Sequence, residues 1–339
     1  MLRRFPRFPM YSRGIADCFR RKENGRKGSG VTLMNIRIKK SDAGKSKISA
    51  ETIIIFVLLV LYIIALALPL FWSVIVSFTD IDAYDNFYVA KIFSNIKIPF
   101  KKTVSNYQNA WKYLTITAPT SRDEYNVIGL YIHSLKYSLI SATMFTLCPC
   151  LVAYATARYK FKFSKFIYGF VIVAMSLPIV GSMPSEIRML KNLHIYGTFA
   201  SMGVLRFNFL SVYFLIFYAE FQSIPKDYTE AAKIDGASQM EIMLKIIMPL
   251  ASGTMLTVFV LSFIGYWNDF QIPVLYLPEY PTAAYCIYYF MNTAQGGSIT
   301  SETPVQMAGT VIMTIPILIV FIVFNKRLRV SVAIGGIKG

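Results

Sequence analysis

The chain has 339 residues, of which 55% are hydrophobic and only 16% charged, and its mean hydropathy is +0.48. That balance excludes an ordinary soluble globular domain and points to an all-α integral membrane protein lying in a lipid bilayer. The formal net charge of +17 would suit a nucleic-acid partner only on a folded basic domain. Positive-inside sorting and attraction to anionic headgroups cover the same charges, so no nucleic acid is expected.

Residues 1–51 carry 14 Lys/Arg against 4 Asp/Glu. They are Arg-rich like a targeting segment, but Pro6 and Pro9 spoil an amphipathic helix. The expectation is a basic, disordered cytoplasmic tail, or translated sequence upstream of a start at Met34. Residues 52–339 form the membrane domain. Apolar, nearly charge-free runs predict spans at Thr52 to Phe78, Tyr137 to Ala157, Phe166 to Ser185, Phe207 to Phe221, Ser252 to Asn268 and Pro304 to Asn325. The fourth run is short, and Arg206 stands just before it.

Lys and Arg collect after the second span (Arg158, Lys160, Lys162, Lys165) and after the last (Lys326, Arg327, Arg329, Lys338). The segment 79–128 mixes both signs, and 271–302 has only acidic charges. Six transmembrane helices with both termini cytoplasmic satisfy every one of these signs, and five do not. The segment 227–250 then falls in the second internal loop.

Little of the chain reads as reaction chemistry. Cys18, Cys148, Cys150 and Cys286 form no disulfide framework. The Cys148-Pro149-Cys150 run lies within the second span, where a soft metal ion is one use and packing around a proline bend is the better one. Gly44-Lys45-Ser46 lacks the earlier glycine of a phosphate loop, because Lys39 occupies that place. His133 and His194 are far apart in sequence and read as interfacial polar residues. The chain is therefore expected to be no enzyme and to bind no metal or cofactor of its own. The spans hold few carboxylates. Asp269 sits about 25 Å from the inner end of the fifth span, late for a midplane proton relay, and Arg206 reads as an outer-interface residue that snorkels to headgroups.

The segment "DYTEAAKIDGASQMEIMLKIIMPL", Asp227 to Leu250, reads as two short helices joined by a hinge. Asp227 or Thr229 can cap the first, and Glu230 sits in its first turn. Asp235-Gly236 supplies the turn, since glycine reaches positive φ. Ala231, Ala232, Gly236 and Ala237 leave the backbone open to close approach. The second helix runs from Ala237 until Pro249 ends or kinks it. Met240, Met243, Leu244 and Ile247 form an apolar stripe, opposite Gln239, Glu241 and Lys245. A lipid-lying helix would be rich in Lys, Arg and aromatic anchors, so docking into a groove of another protein is the better reading.

These same residues resemble the EAA signature of permease subunits in binding-protein-dependent ABC importers. Glu230-Ala231-Ala232, Asp235-Gly236-Ala237 and Met248-Pro249 are in register with it. "TVSNYQNAW", "LPIVGSMPSEI", "YWNDF" and the terminal "GGIKG" resemble the carbohydrate, maltose-type (MalG-like) branch. Gly253 stands where that family often has a second proline, His133 where many relatives have Asn, and Ser331 where a glycine is common.

The resemblance implies a type I importer permease fold. It also implies a cytoplasmic ABC ATPase dimer that holds ATP-Mg, a second permease subunit and an extracytoplasmic solute-binding protein. Glu230 would bond a basic residue of the ATPase. The sugar would be a di- or oligosaccharide. Tyr266, Trp267, Asn268 and Asp269 offer aromatic faces and hydrogen-bonding groups at one level of a span, either as part of its pathway or as a polar cluster joining spans. An ion-coupled secondary transporter and a non-transporting membrane scaffold are the alternatives.

Overall fold

A computed structural model describes residues 50–82, 84, 103–159, 161–177, 181–293 and 302–336. The basic tail, apart from its last two residues, lies outside them. The chain divides into two units, Met1–Val60 and Leu61–Gly339. The described part of the first is the opening of helix α1 (Ala50–Ser77), whose apolar side chains are exposed along the helix, as a lipid-facing helix requires.

Among its described residues the second unit is helical apart from one short hairpin and connecting loops. After α2 (Ser105–Tyr113), strands β1 (Ile116–Thr117) and β2 (Glu124–Tyr125) pair antiparallel with Ile116 opposite Tyr125. The central element is α3 (Val127–Arg158), 32 residues or about 48 Å long. Its start is fixed by Asn126, whose side chain accepts the Gly129 N–H at 3.1 Å. It begins ten residues before the expected span, because polar residues such as His133 and Ser134 are buried against neighbouring helices instead of ending it. Helices α4 (Ser164–Ser176), α5 (Met183–Asn192), α6 (Phe199–Arg206) and α7 (Val212–Ser223) follow. The segment 227–250 comes next, then α11 (Ser252–Trp267), α12 (Gln271–Tyr276), α13 (Ala283–Thr293) and α14 (Thr303–Gly336). Helices α6, α7 and α11 pack on α3.

The expected spans are met unevenly. Among the described residues three helices are long and apolar enough to cross a bilayer alone, and a bent pair, 239–250 with 252–267, is a further candidate. The third and fourth expected spans are helices of only 13 and 12 residues, about 20 and 18 Å against a hydrocarbon core of about 30 Å. Leu177 adopts an extended ψ of 121°, as a residue preceding Pro178 must. The expected run to Ser185 therefore breaks at Leu177, and Met183 opens a separate helix with Pro184 in its first turn. The fourth helix is short at its start instead: residues 207–211 lie outside it, while it passes Phe221 and ends at Ser223, before the extended Ile224 that precedes Pro225.

Buried side chains gather toward the two ends of α3. At the Arg158 end, Ala153 and Tyr154 meet Phe221, Ala232, Ile242 and Ile247. At the Asn126 end, Val127 and Leu130 meet Leu114, Phe290, Val305 and Ile312. Cys148 and Cys150 are buried free thiols of α3, and the Cys150 Sγ lies 3.8 Å from the Met248 Sδ. His133 packs inside the protein. It is buried between the rings of Tyr125 and Tyr280, with Nδ1 3.1 Å from the Pro281 carbonyl.

Candidate functional site: an exposed helical hairpin and a half-buried charged cluster

Residues 227–250 form the hairpin that the sequence predicts, with different details. Helix α8 (Asp227–Ile234) starts from Lys226, so neither Asp227 nor Thr229 caps it. Asp227 and Glu230 instead occupy its first turn, where the positive helix end favours carboxylates. Gly236 turns the chain at φ +80°, a conformation that any side chain would strain. The second arm starts at Gln239, later than the expected Ala237, because Ser238 and Glu241 make a capping box. The Ser238 N–H donates to Glu241 Oε2 at 3.0 Å, and the Glu241 N–H donates to Ser238 Oγ at 3.3 Å.

Lys245 donates to Glu241 Oε1 at 2.9 Å, and these bonds hold the Glu241 carboxyl far below its ordinary range, at about 2. The arm is α9 (Gln239–Glu241), a π-helical turn over Ile242–Ile247, and α10 (Met248–Leu250). Pro249 lies in the first turn of α10 and does not end the arm. The sharp change of direction, 71°, comes where the chain passes Ala251 into α11.

The apolar stripe is divided between two jobs. Met240 and Leu244 are 60% and 57% exposed, and Ile234, from the first arm, is 86% exposed. Ile242 and Ile247 are fully buried, Met243 packs at the margin of the same cluster, and Ala232 lies within it. Ala232 therefore lets the two arms and α3 approach each other. Ala231, on the opposite side, is exposed, and so are Glu230, Asp235 and Pro249, with Ala237 half-buried. The outcome is an exposed apolar ridge on a welded base. Fully burying such side chains is worth roughly 1.5–3 kcal/mol each, so a soluble partner has something to gain there.

The YWNDF level of α11 is also divided. Trp267 is buried against Phe263 and Tyr131. Asn268 is exposed and donates to the Ile264 carbonyl of its own helix at 2.9 Å. Tyr266 and Asp269 join two residues that the sequence reading did not assign to this site. Tyr137 of α3 donates to Asp269 Oδ2 at 2.8 Å, and the Arg206 guanidinium lies 4.9 Å from the centre of the Tyr266 ring. Arg206 also lies within electrostatic reach of Tyr137 and Asp269. Its side chain is half-buried and packs on an aromatic ring. Its position just before an apolar run hinted at this, but the partner, 63 residues on at Asp269, is visible only in the fold.

Residues 146–333, more than half of the chain, match the family described as "Binding-protein-dependent transport system inner membrane component". The chain belongs to that family. The match contains the hairpin, Arg206, α11 and the apolar part of α14. This binding-protein-dependent permease component is 26% identical over 292 residues to the galactooligosaccharides transport system permease protein GanQ of Bacillus subtilis, covering 84% of this chain and 94% of that one. It is also 26% identical over 296 residues to the trehalose/maltose transport system permease protein MalG of Thermococcus litoralis, covering 85% and 98%. A crystal structure of a bacterial ABC transporter involved in the import of the acidic polysaccharide alginate contains a chain of the same fold. There the TM-score is 0.63 at 19% identity, covering 81% of this chain and 95% of that one. The permease component is thus a multi-pass inner-membrane protein with a type I permease fold.

Proposed function

We propose that this chain is a permease subunit of a carbohydrate ABC importer, carrying a di- or oligosaccharide across the membrane. The observation that carries the coupling half of this reading is the exposed ridge Ile234, Met240 and Leu244 on a buried base. The carbohydrate half is supported by the sugar-transport names of its relatives. With six spans and both termini cytoplasmic, the hairpin faces a separate ABC ATPase dimer that binds and hydrolyses ATP-Mg, while this chain supplies no hydrolytic residue. A second permease subunit completes the pore, and an extracytoplasmic solute-binding protein delivers the sugar.

The mechanism follows from the stiffness of the base. The ridge seats in a cleft of the ATPase, and Glu230, exposed in the first turn of α8, pairs with a basic residue there. When ATP binding closes the ATPase, Ile242 and Ile247 oblige the hairpin to move as one body, since packed interiors transmit displacement. The 71° elbow at Ala251 turns that movement into α11. Toward the far end of α11, Tyr266 offers an aromatic face and Asn268 an exposed amide to the sugar, with Asp269 beside them and Trp267 supporting them from behind. The buried Nε of Arg206 has no hydrogen-bond partner among the described residues and is a donor for a sugar hydroxyl.

The test is uptake of the sugar held by the co-purified binding protein, identified by mass spectrometry. Glu230→Lys and Gly236→Pro should each abolish uptake while leaving the chain in the membrane. Normal uptake by both variants would sink the reading. An ion-coupled transporter would instead transport from the purified chain alone with an ion gradient.

A further inference from the structure

Arg158 is the last residue of α3, and its guanidinium reaches both sides of the corner that opens the hairpin. Nη1 donates to the Ile224 carbonyl at 3.0 Å and Nη2 to the Thr229 hydroxyl at 3.4 Å. Ile224 is the residue after α7, whose final carbonyls lack helical partners and carry the negative end of the dipole. Thr229 is in the first turn of α8. A planar cation with a fixed fork of donors suits two acceptors on two elements, and a lysine ammonium does not reproduce that fork. Among the described residues these are the only hydrogen bonds between nitrogen and oxygen atoms that α3 makes to residues 224–250.

The other end of α3 is also tied down. The Ser134 Oγ accepts the Ala283 N–H at 2.7 Å, the Tyr137 hydroxyl donates to Asp269 at 2.8 Å, and His133 meets the Pro281 carbonyl. Ser134 and Arg158 are 24 residues apart on one helix, about 36 Å. One continuous element thus grips the hairpin at one end and the α11–α13 segment at the other.

We infer that Arg158 is a positioning residue that makes α3 a second transmission path, parallel to the elbow at Ala251, from the hairpin to the far end of the molecule. The bond to Thr229 makes α3 follow α8, and the bond to Ile224 keeps α7 in the same body. Hydrophobic packing of Tyr154 against Phe221 resists separation but permits sliding, whereas the guanidinium fork fixes the register. This inference rests on the hairpin being the ATPase-coupling element.

The experiment compares the wild-type transporter, assembled with its ATPase and second permease, with R158Q and R158K. Amide hydrogen exchange is read with and without trapping by MgATP and vanadate, so no sugar is needed. In the wild type, trapping should change exchange both in 227–250 and in 277–283. R158Q should keep the change in the hairpin and shrink the change at 277–283 to what the elbow at Ala251 alone transmits, and R158K should fall between R158Q and the wild type. An unaltered response at 277–283 in R158Q would overturn the inference. So would loss of the hairpin response in an assembled R158Q complex, which would reduce Arg158 to a folding contact. A wild-type hairpin that does not respond at all would instead refute the coupling reading on which this one stands.

Discussion

At the Arg158 end of α3 the chain holds apolar side chains out in the open on a buried base. Toward the Asn126 end it draws an arginine, an aspartate and two tyrosines in among aromatic rings. Ordinary burial rules are reversed in both places, and the reversals teach different things. An exposed apolar ridge is stable only if its neighbours are rigid and is useful only if something covers it. A hydrogen bond from a buried tyrosine to a carboxylate and a cation over an aromatic face are directional, so together they favour one arrangement of the elements that carry them. On the proposed function the first region meets a partner, and the second holds α3, α6 and α11 in one relation until something changes it.

Substitutions can break this contrast, and the largest effect should come from the hairpin's hidden side. Ile247→Ala opens a cavity in a fully buried site and should cost about 3–4 kcal/mol, read as a lower thermal midpoint of the purified chain. Arg206→Leu removes the cation over the Tyr266 ring and should cost about 1–2 kcal/mol. If it stabilises the chain instead, the cluster does not hold these helices in register. Tyr137→Phe removes one hydrogen bond to Asp269 and should cost about 1–1.5 kcal/mol.

Leu244→Ala, on the exposed ridge, should change stability by less than about 0.5 kcal/mol while weakening retention of the ATPase in pull-downs. A stability loss equal to that of Ile247→Ala would erase the division between ridge and base. The smallest effect is at Glu241. Its folded carboxyl is depressed to about 2, so the capping box is complete above the ordinary carboxylate range, near 4.5, and is lost only as pH falls toward 2. The protection factor of the Ser238 amide, which the Glu241 carboxylate accepts, should therefore be flat from neutrality down to about pH 4.5, and Glu241→Gln should lower it slightly throughout that range.

Much of the hairpin was legible in the sequence because its signals are local. Asp235-Gly236 announces a turn, and the Ser238-x-x-Glu241 spacing announces a cap that the sequence reading passed over in favour of Ala237. The stripe of Met240, Met243, Leu244 and Ile247 shows helical period, but period alone cannot say which members face inward. The π-helical turn over Ile242–Ile247 and the packing of Ala232 on α3 decided that. Span lengths were less legible, since hydropathy runs straight through Leu177 and the backbone does not. The tie between Arg206, Tyr137 and Asp269 was not legible at all. Its members are 63 and 132 residues from Asp269, and nothing in a local window links them.

Whether the ATPase sits on the ridge is measured most directly by co-purification of the ATPase with a tagged chain carrying both Met240→Asp and Leu244→Asp, two charges placed on exposed side chains. The ATPase should be lost while the second permease and the wild-type thermal midpoint are kept. Retention of the ATPase at the wild-type level would place its seat elsewhere.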